Sequence, residues 1–551
     1  MFRAFRSALI LLNCGLSFVV SSQAAAQAAE VQAAAAPAAP VAVPTATDAP
    51  AANAAQEHFD ITEFRVLGNS LLPNRDIERA VYPFLGPNRD LTVVNKAKEA
   101  LEKAYKDAGY GTVFADIPEQ SVDEGIVRLQ VTEGRLDRVR IKGERYVSGR
   151  QIREELPILV AGSTPHMPTF QDELGKVNSR SSDLAVTPVL KAGRTPGTVD
   201  LDLNVQDTLP LHASIETNNR YSADTTPNRV AVTASYDNLW QLNHSLSFQY
   251  QTAPAQRSDA EVEAVTYLAR FRDTPAVLAM NFIHTSSDVA ALGTVGVIGK
   301  GSIYGLRLVD PLENSEAQSH SITLGADFKD FQQSVLQSSG GFDSPIHYLQ
   351  WSAQYSGAWR APSTTFSTNA GINFGIRDLV NRADLFEGKR FDAVPNYMYF
   401  RGGAQYLQAM PKGFAVLVRV NGQWSPRPLI DNEQLAIGGE DTVRGYLEAE
   451  ALGDSGATGT LEVRSPKLGA RFGSYFSPLY AFVFGDAGLV TVEEPLAQQA
   501  YQQHLSSTGV GLRIEGNSLL QGTLDYAIPL VDGPRTQRGQ GRVDFSIRIG
   551  F

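Results

Sequence analysis

The chain has 551 residues, longer than one ordinary domain of about 100–200 residues, and 48 Lys and Arg against 59 Asp and Glu give a net charge of −11. That balance argues against a general nucleic-acid binder, which carries a basic stripe, and 43% hydrophobic residues argue against a disordered chain. One apolar run approaches spanning length, so a multi-span helical membrane protein is excluded; a β-barrel stays open, because its lipid face uses every second residue.

Arg3 and Arg6 precede the apolar stretch Ala8–Val20, and Ala24-Ala25-Ala26 and Ala26-Gln27-Ala28 follow. Charged start, apolar middle and A-x-A end predict a secretory signal peptide over 1–28. An uncleaved anchor fits less well, because the run is short and holds Asn13, Gly15 and Ser17. The sole cysteine, Cys14, falls inside this segment, so neither an internal disulfide nor a Cys-ligated zinc site is expected. Residues 29–58 are mostly Ala, Pro, Val and Thr, with Pro37, Pro40, Pro44 and Pro50. They read as an extended linker.

Alternation over Ile61–Val66 predicts a strand, closed by Gly68-Asn69. Ile77, Ala80, Val81 and Phe84, then Val94, Ala97, Leu101, Tyr105 and Ala108, lie at helical spacing. Strands over Val113–Ile117 and Ile126–Val131 end at Thr132-Glu133-Gly134, completing β-α-α-β-β over 59–134. The order returns over 135–208: Val139-Arg140-Ile141-Lys142-Gly143 echoes Phe64–Gly68 75 residues later (139 − 64), helices are expected near 149–158 and 168–181, and a hairpin spans 185–205. An internal repeat of this kind means two copies of one small module. It resembles the POTRA (polypeptide-transport-associated) domain, twice. Such a module leaves an edge strand that can pair with an extended peptide.

From Leu211 on, no helix signal is convincing, and period-two segments recur, such as Val230-Val232-Ala234-Tyr236, Ile322-Leu324-Ala326-Phe328 and Leu349-Trp351-Ala353-Tyr355. The intervening positions are polar. Residues 209–551 hold roughly 16 strands at about 20 residues per strand and connection, and aromatics cluster near segment ends as interfacial girdles do. The terminus places Val543, Phe545, Ile547, Ile549 and Phe551 on one face, which resembles the C-terminal strand signal of bacterial outer-membrane proteins. The expected fold is α+β periplasmic repeats followed by an all-β transmembrane antiparallel barrel.

Gly438-Gly439-Glu440-Asp441-Thr442-Val443-Arg444-Gly445-Tyr446 is the most informative stretch. Val443-Arg444-Gly445-Tyr446 resembles the signature of the pore loop in the outer-membrane assembly and secretion superfamily. Phe484, Asp486 and Gly488 match the barrel-wall signature, and Gly509-Val510-Gly511-Leu512-Arg513 matches a following strand. By resemblance, Arg444 reaches into the lumen and pairs with Asp486; an arginine fork suits a carboxylate bidentately. With two modules and a roughly 16-strand barrel, the chain resembles the two-partner secretion transporters (TpsB type; the ShlB/FhaC/HecB-like hemolysin activators). Many of these carry an N-terminal plug helix. Residues 28–55 are broken by four prolines and have little polar face, which argues against one there.

Gly453-Asp454-Ser455-Gly456 looks like a trypsin-type nucleophile motif, but no histidine and aspartate can be assigned to that serine. Gly-Asp-x-Gly also follows the pore loop in the transporter family, where it leads into a strand. No catalytic constellation, metal site or cofactor site is legible. The expectation is a non-enzymatic pore in the outer membrane of a Gram-negative bacterium, with the modules in the periplasm. It would export a secreted partner protein, expected to be a large β-helical exoprotein. Its other expected partners are outer-membrane lipids and the barrel assembly machinery, with no nucleic acid. An assembly factor that inserts other barrels, or a passive porin, is the alternative.

Overall fold

The computed structural model describes residues 58–551, except 123, 273, 288, 293–294, 299, 313–314, 316, 333, 338–339, 344, 470–475, 477, 498 and 516–518. The expected signal peptide and nearly all of the linker lie outside the described residues. Two compact units meet in sequence at Leu209 and Pro210.

The first unit holds two modules. In the first, Ile126–Glu133 is the central strand, parallel to Glu63–Leu67 and antiparallel to Val113–Asp116. Helices Asn74–Val81 and Leu91–Asp107 supply the second layer. Asp90 caps the longer helix by accepting a hydrogen bond from Val93 N at 3.0 Å. Its Val94, Ala97, Leu101 and Tyr105 form one buried stripe, packed with Leu129 and Val131 of the sheet. The predicted first strand is divided, with Phe59–Ile61 pairing separately with Gly86–Arg89.

The second module repeats this arrangement, with Thr198–Asp207 between parallel Arg135–Lys142 and antiparallel Leu184–Ala192. Its helices are Gly149–Glu154 and Met167–Arg180. The first is shorter than the expected 149–158, because Pro157 disfavours helical geometry at the residue before it.

The two repeats share a turn chemistry. Gly68 (φ +83°) and Gly143 (φ +93°) lie where a Cβ would come within 2.3 Å of Val131 O and 2.5 Å of Val205 O. Only glycine fits such a left-handed, crowded position. Glu133 accepts from Ser70 N (2.6 Å) and Leu71 N (2.9 Å). Asp207 accepts from Arg145 N (3.0 Å), Tyr146 N (2.6 Å) and Val147 N (2.8 Å). A carboxylate at the end of the central strand thus satisfies the turn that follows the first strand in both copies.

The second unit is a closed antiparallel barrel of sixteen strands. They are β1 (Leu211–Asn218), β2 (Arg229–Leu239), β3 (His244–Thr252), β4 (Glu261–Arg270), β5 (Val277–Thr285), β6 (Gly301–Pro311), β7 (Gln318–Phe331) and β8 (Ile346–Ala361). The second half comprises β9 (Thr364–Gly375), β10 (Met398–Ala409), β11 (Ala415–Trp424), β12 (Ser455–Arg464), β13 (Leu479–Thr491), β14 (Gln502–Ile514), β15 (Leu520–Pro529) and β16 (Arg542–Gly550). The exposed face carries Leu306, Leu324, Val420, Leu461, Val510, Leu524 and Ile549, an outward apolar band. The inward face carries Arg307, Asp327, Gln350, Glu462, Asp486, Asp525 and Asp544. Closure pairs Ser546–Gly550 with Ser214–Asn218, and Phe551 N donates to Ala213 O at 3.0 Å. Phe545, Ile547 and Ile549 share the outward side of β16, and Phe551 is 75% exposed.

Two expectations for this half need correction. A helix does occur, Ala383–Lys389, in the connection between β9 and β10; its seven residues are too few for the periodicity to stand out. The inner wall is also not polar throughout. Val262, Ile283, Phe331, Ile346 and Tyr348 form an apolar patch covered by Phe386 of that helix and by Leu429 and Ile430 of the next long connection.

Candidate functional site

Residues 425–454 join β11 to β12 and fold back against the inner wall. Gly438 (φ +103°) and Gly439 (φ +97°) start the reversal; Gly438 N donates to Thr442 Oγ1 at 2.8 Å. The turn delivers Val443 and Tyr446 into a small core with Ile437, Ala451, Val490 and Leu505. The Tyr446 hydroxyl lies 2.8 Å from Val531 O and 2.9 Å from Ser506 O. Gly445 (φ +88°) passes so close to the wall that a Cβ would lie 3.0 Å from Ala527 Cβ.

Arg444 is buried between these anchors. Its Nε donates to Asp486 Oδ2 at 2.8 Å and its Nη2 to Asp486 Oδ1 at 3.0 Å. Its backbone N also reaches Asp486 Oδ2, at 3.2 Å. Nη1 donates to Glu462 Oε2 at 3.3 Å and lies 3.8 Å from Asp525 Oδ2. The guanidinium carbon stands 3.4 Å from the centroid of the Phe484 ring. Both the fork and the stacking require arginine's planar, five-donor head.

Strand alternation explains the wall signature: Phe484, Asp486 and Gly488 are successive inward residues of β13. Phe484 is the platform, Asp486 the acceptor, and Gly488 the clearance. A Cβ on Gly488 would lie 2.9 Å from Val443 Cγ2. The glycines of β14 have a similar purpose. A Cβ on Gly509 would lie 2.5 Å from Phe484 Cζ, and one on Gly511 2.5 Å from Phe482 Cζ. Arg513 then places its guanidinium carbon 4.6 Å from the Phe482 ring centroid and Nη1 3.5 Å from Glu462 Oε1. Arginines 444, 464 and 513 thus share Glu462 as a common acceptor.

A family model described as haemolysin secretion/activation protein ShlB/FhaC/HecB matches residues 197–514, more than half of the chain. The chain belongs to this family. The ShlB-type POTRA domain matches residues 59–134. The outer membrane transporter CdiB of Dickeya dadantii (strain 3937) is 22% identical over 418 residues, 72% of this chain and 71% of its own. The heme/hemopexin transporter protein HuxB of Haemophilus influenzae (strain 86-028NP) is 19% identical over 410 residues, with the same shares. The solved CdiB from Escherichia coli matches with TM-score 0.58 at 18% identity, over 92% of this chain and 93% of that one. BamA from Haemophilus ducreyi lacking POTRA domains 1–3 gives 0.56 at 14% identity, over 90% and 100%; at these identities the likeness is one of fold. The chain is therefore an outer-membrane transporter of two-partner secretion, with a periplasmic POTRA region ahead of its barrel.

This ShlB-family barrel also contains groups that sequence reasoning missed. Glu433, in the same long connection, is enclosed by Lys329 Nζ (2.6 Å), Gln350 Nε2 (2.6 Å), Tyr348 OH (2.5 Å) and Tyr399 OH (2.8 Å). These donors come from β7, β8 and β10, so the connection is fastened to two separate stretches of wall. Asp454, from the protease-like motif, is fully buried and takes Arg390 bidentately. One signal was available: Ile346 and Tyr348 make β8 apolar on its inward side too, where the alternation called for polar residues.

Proposed function

We propose that the transporter exports one large partner protein, of β-helical form, through the barrel lumen. The two repeats over 59–134 and 135–208 capture the partner's N-terminal region in the periplasm, partly by strand pairing at a sheet edge. The signal peptide (1–28) and linker (29–58) deliver the chain, and the barrel assembly machinery inserts residues 209–551 among outer-membrane lipids. Folding of the partner outside supplies the drive. The Val443-Arg444-Gly445-Tyr446 loop braces the lumen and gates it through Phe484, Asp486 and Gly488.

The observation that carries this reading is the Arg444–Asp486 lock inside a sixteen-strand barrel. A passive porin has no use for a loop fastened in this way behind two modules. An assembly factor is the second reading, favoured by the fold likeness to BamA.

Culture medium and outer membranes are compared in cells with the gene, without it, and with Arg444→Ala. Export predicts that one large protein leaves the medium without the gene and falls with Arg444→Ala. Loss of many barrels from the outer membrane would establish the assembly factor instead.

A further inference from the structure

The connection between β9 and β10, residues 376–397, folds inward independently of the Arg444 loop's signature. Strand connectivity puts both connections at the barrel end opposite residue 210. Asn381 starts the infolding: its Oδ1 accepts from Leu349 N at 2.7 Å, and its Nδ2 donates to Pro395 O at 3.0 Å. Phe386 then packs edge-on against Tyr348, with ring centroids 5.6 Å apart. It covers the apolar patch of the inner wall.

Arg390, just past the helix, closes the arrangement. Its Nη1 and Nη2 meet Asp454 Oδ1 and Oδ2 at 2.5 and 2.7 Å. The same carboxylate accepts from Leu429 N (2.8 Å) and Glu493 N (2.7 Å). Arg390 Nη2 also donates to Glu493 O at 2.9 Å. One ion pair, with its carboxylate fully buried, therefore ties three connections at the outer end. An apolar inner wall is costly facing water and is explained by a segment that rests on it.

We infer that Arg390 and Asp454 are positioning residues that latch the 376–397 segment onto the Arg444 loop, so that the two form one gate at the outer end of the lumen. The gate rests closed, because leaving uncovers the patch and breaks the pair, and it swings out to pass the partner. This rests on the export reading.

The test uses the purified full-length protein in planar lipid bilayers, with faster migration of unheated samples in gels reporting a folded barrel. Arg390→Ala and Asp454→Asn should each raise the open fraction about tenfold, the change produced by about 1.4 kcal/mol. The double variant should gain little more, because both changes remove one interaction. Phe386→Ala should act in the same direction through the patch. Arg382→Ala, which removes an exposed pair with Asp384, should leave the conductance unchanged. Folded Arg390→Ala and Asp454→Asn barrels with the parental open fraction would overturn the latch, whatever Phe386→Ala does. No partner is present in this assay, so its failure is distinct from a failure of export, which the culture medium reports.

Discussion

The Phe484 ring stands 3.4 Å from the Arg444 guanidinium carbon, while Asp486, two residues along the same strand, receives two of that guanidinium's donors. Strand alternation makes this possible, because residues i and i+2 share the inward face. A platform and an acceptor, correctly spaced for one cation, are thereby encoded in three consecutive residues of β13.

Arg444→Lys should therefore fail almost as fully as Arg444→Ala. An ammonium neither forks to Asp486 nor stacks on Phe484 in the same way. Removing one partner of a buried pair costs about 3–5 kcal/mol, and Glu462 and Asp525 add further negative charge beside Asp486. Partner protein in the medium should fall at least about tenfold, since about 1.4 kcal/mol already shifts an equilibrium that far. Unheated gels should still report a folded barrel. Export restored by lysine would contradict the geometric argument.

Gly488→Ala tests clearance. Its Cβ would press on Val443 Cγ2 at 2.9 Å and displace the loop from the wall. Export should fall, and Val443→Ala in the same chain should recover much of it by returning the lost space. Overpacking of a core by one methyl costs about 1–3 kcal/mol. No recovery in the double variant would mean that Gly488 acts otherwise.

Much of this architecture was legible beforehand. The 75-residue spacing of Gly68 and Gly143 (143 − 68), and of the strands before them, marks the two modules, because both turns need glycine for the same crowded carbonyl. The barrel was legible because a lipid face demands strict alternation. The infolded 376–397 segment was not. Its contacts are long-range in sequence: Phe386 meets Tyr348 and Arg390 meets Asp454, and no local period records such pairs. The glycines of β14 could be matched to a motif, but their reason, space for the rings of Phe482 and Phe484, needed the neighbouring strand.

Glu133→Ala should loosen the first module at its 68–72 turn. Ser70 N and Leu71 N would lose their carboxylate acceptor, and a hydrogen bond to a charged group contributes about 1.5–3 kcal/mol. Hydrogen exchange of the full chain should show faster exchange at 68–72 and 126–133, with the second module unchanged. Equal loss in both modules would contradict their separate cores.

Acid should loosen the second module. Lys142 and Lys191 each donate to Asp202 Oδ2 at 2.8 Å, and these bonds lower its pKa from the ordinary 3.8 to about 2. The folded state thus binds this proton less tightly than the unfolded state. The contribution is whole above about pH 4 and is lost as the pH falls toward 2. Protection of 198–207 against exchange, corrected for intrinsic rates, should decline across that window in the parent. It should be lower and flatter in Asp202→Asn. A parent profile without a decline would contradict the assignment.

The most direct measurement places a photo-crosslinking residue on each side of the wall while partner is being secreted. Asn369 lies on the inward side of β9, and Leu324, 53% exposed, lies on the outward side of β7. Passage through the lumen predicts an adduct with the partner from position 369 and none from 324. Partner reaching the medium at the usual rate with no adduct at 369, or with an adduct at 324, would contradict transport through the barrel.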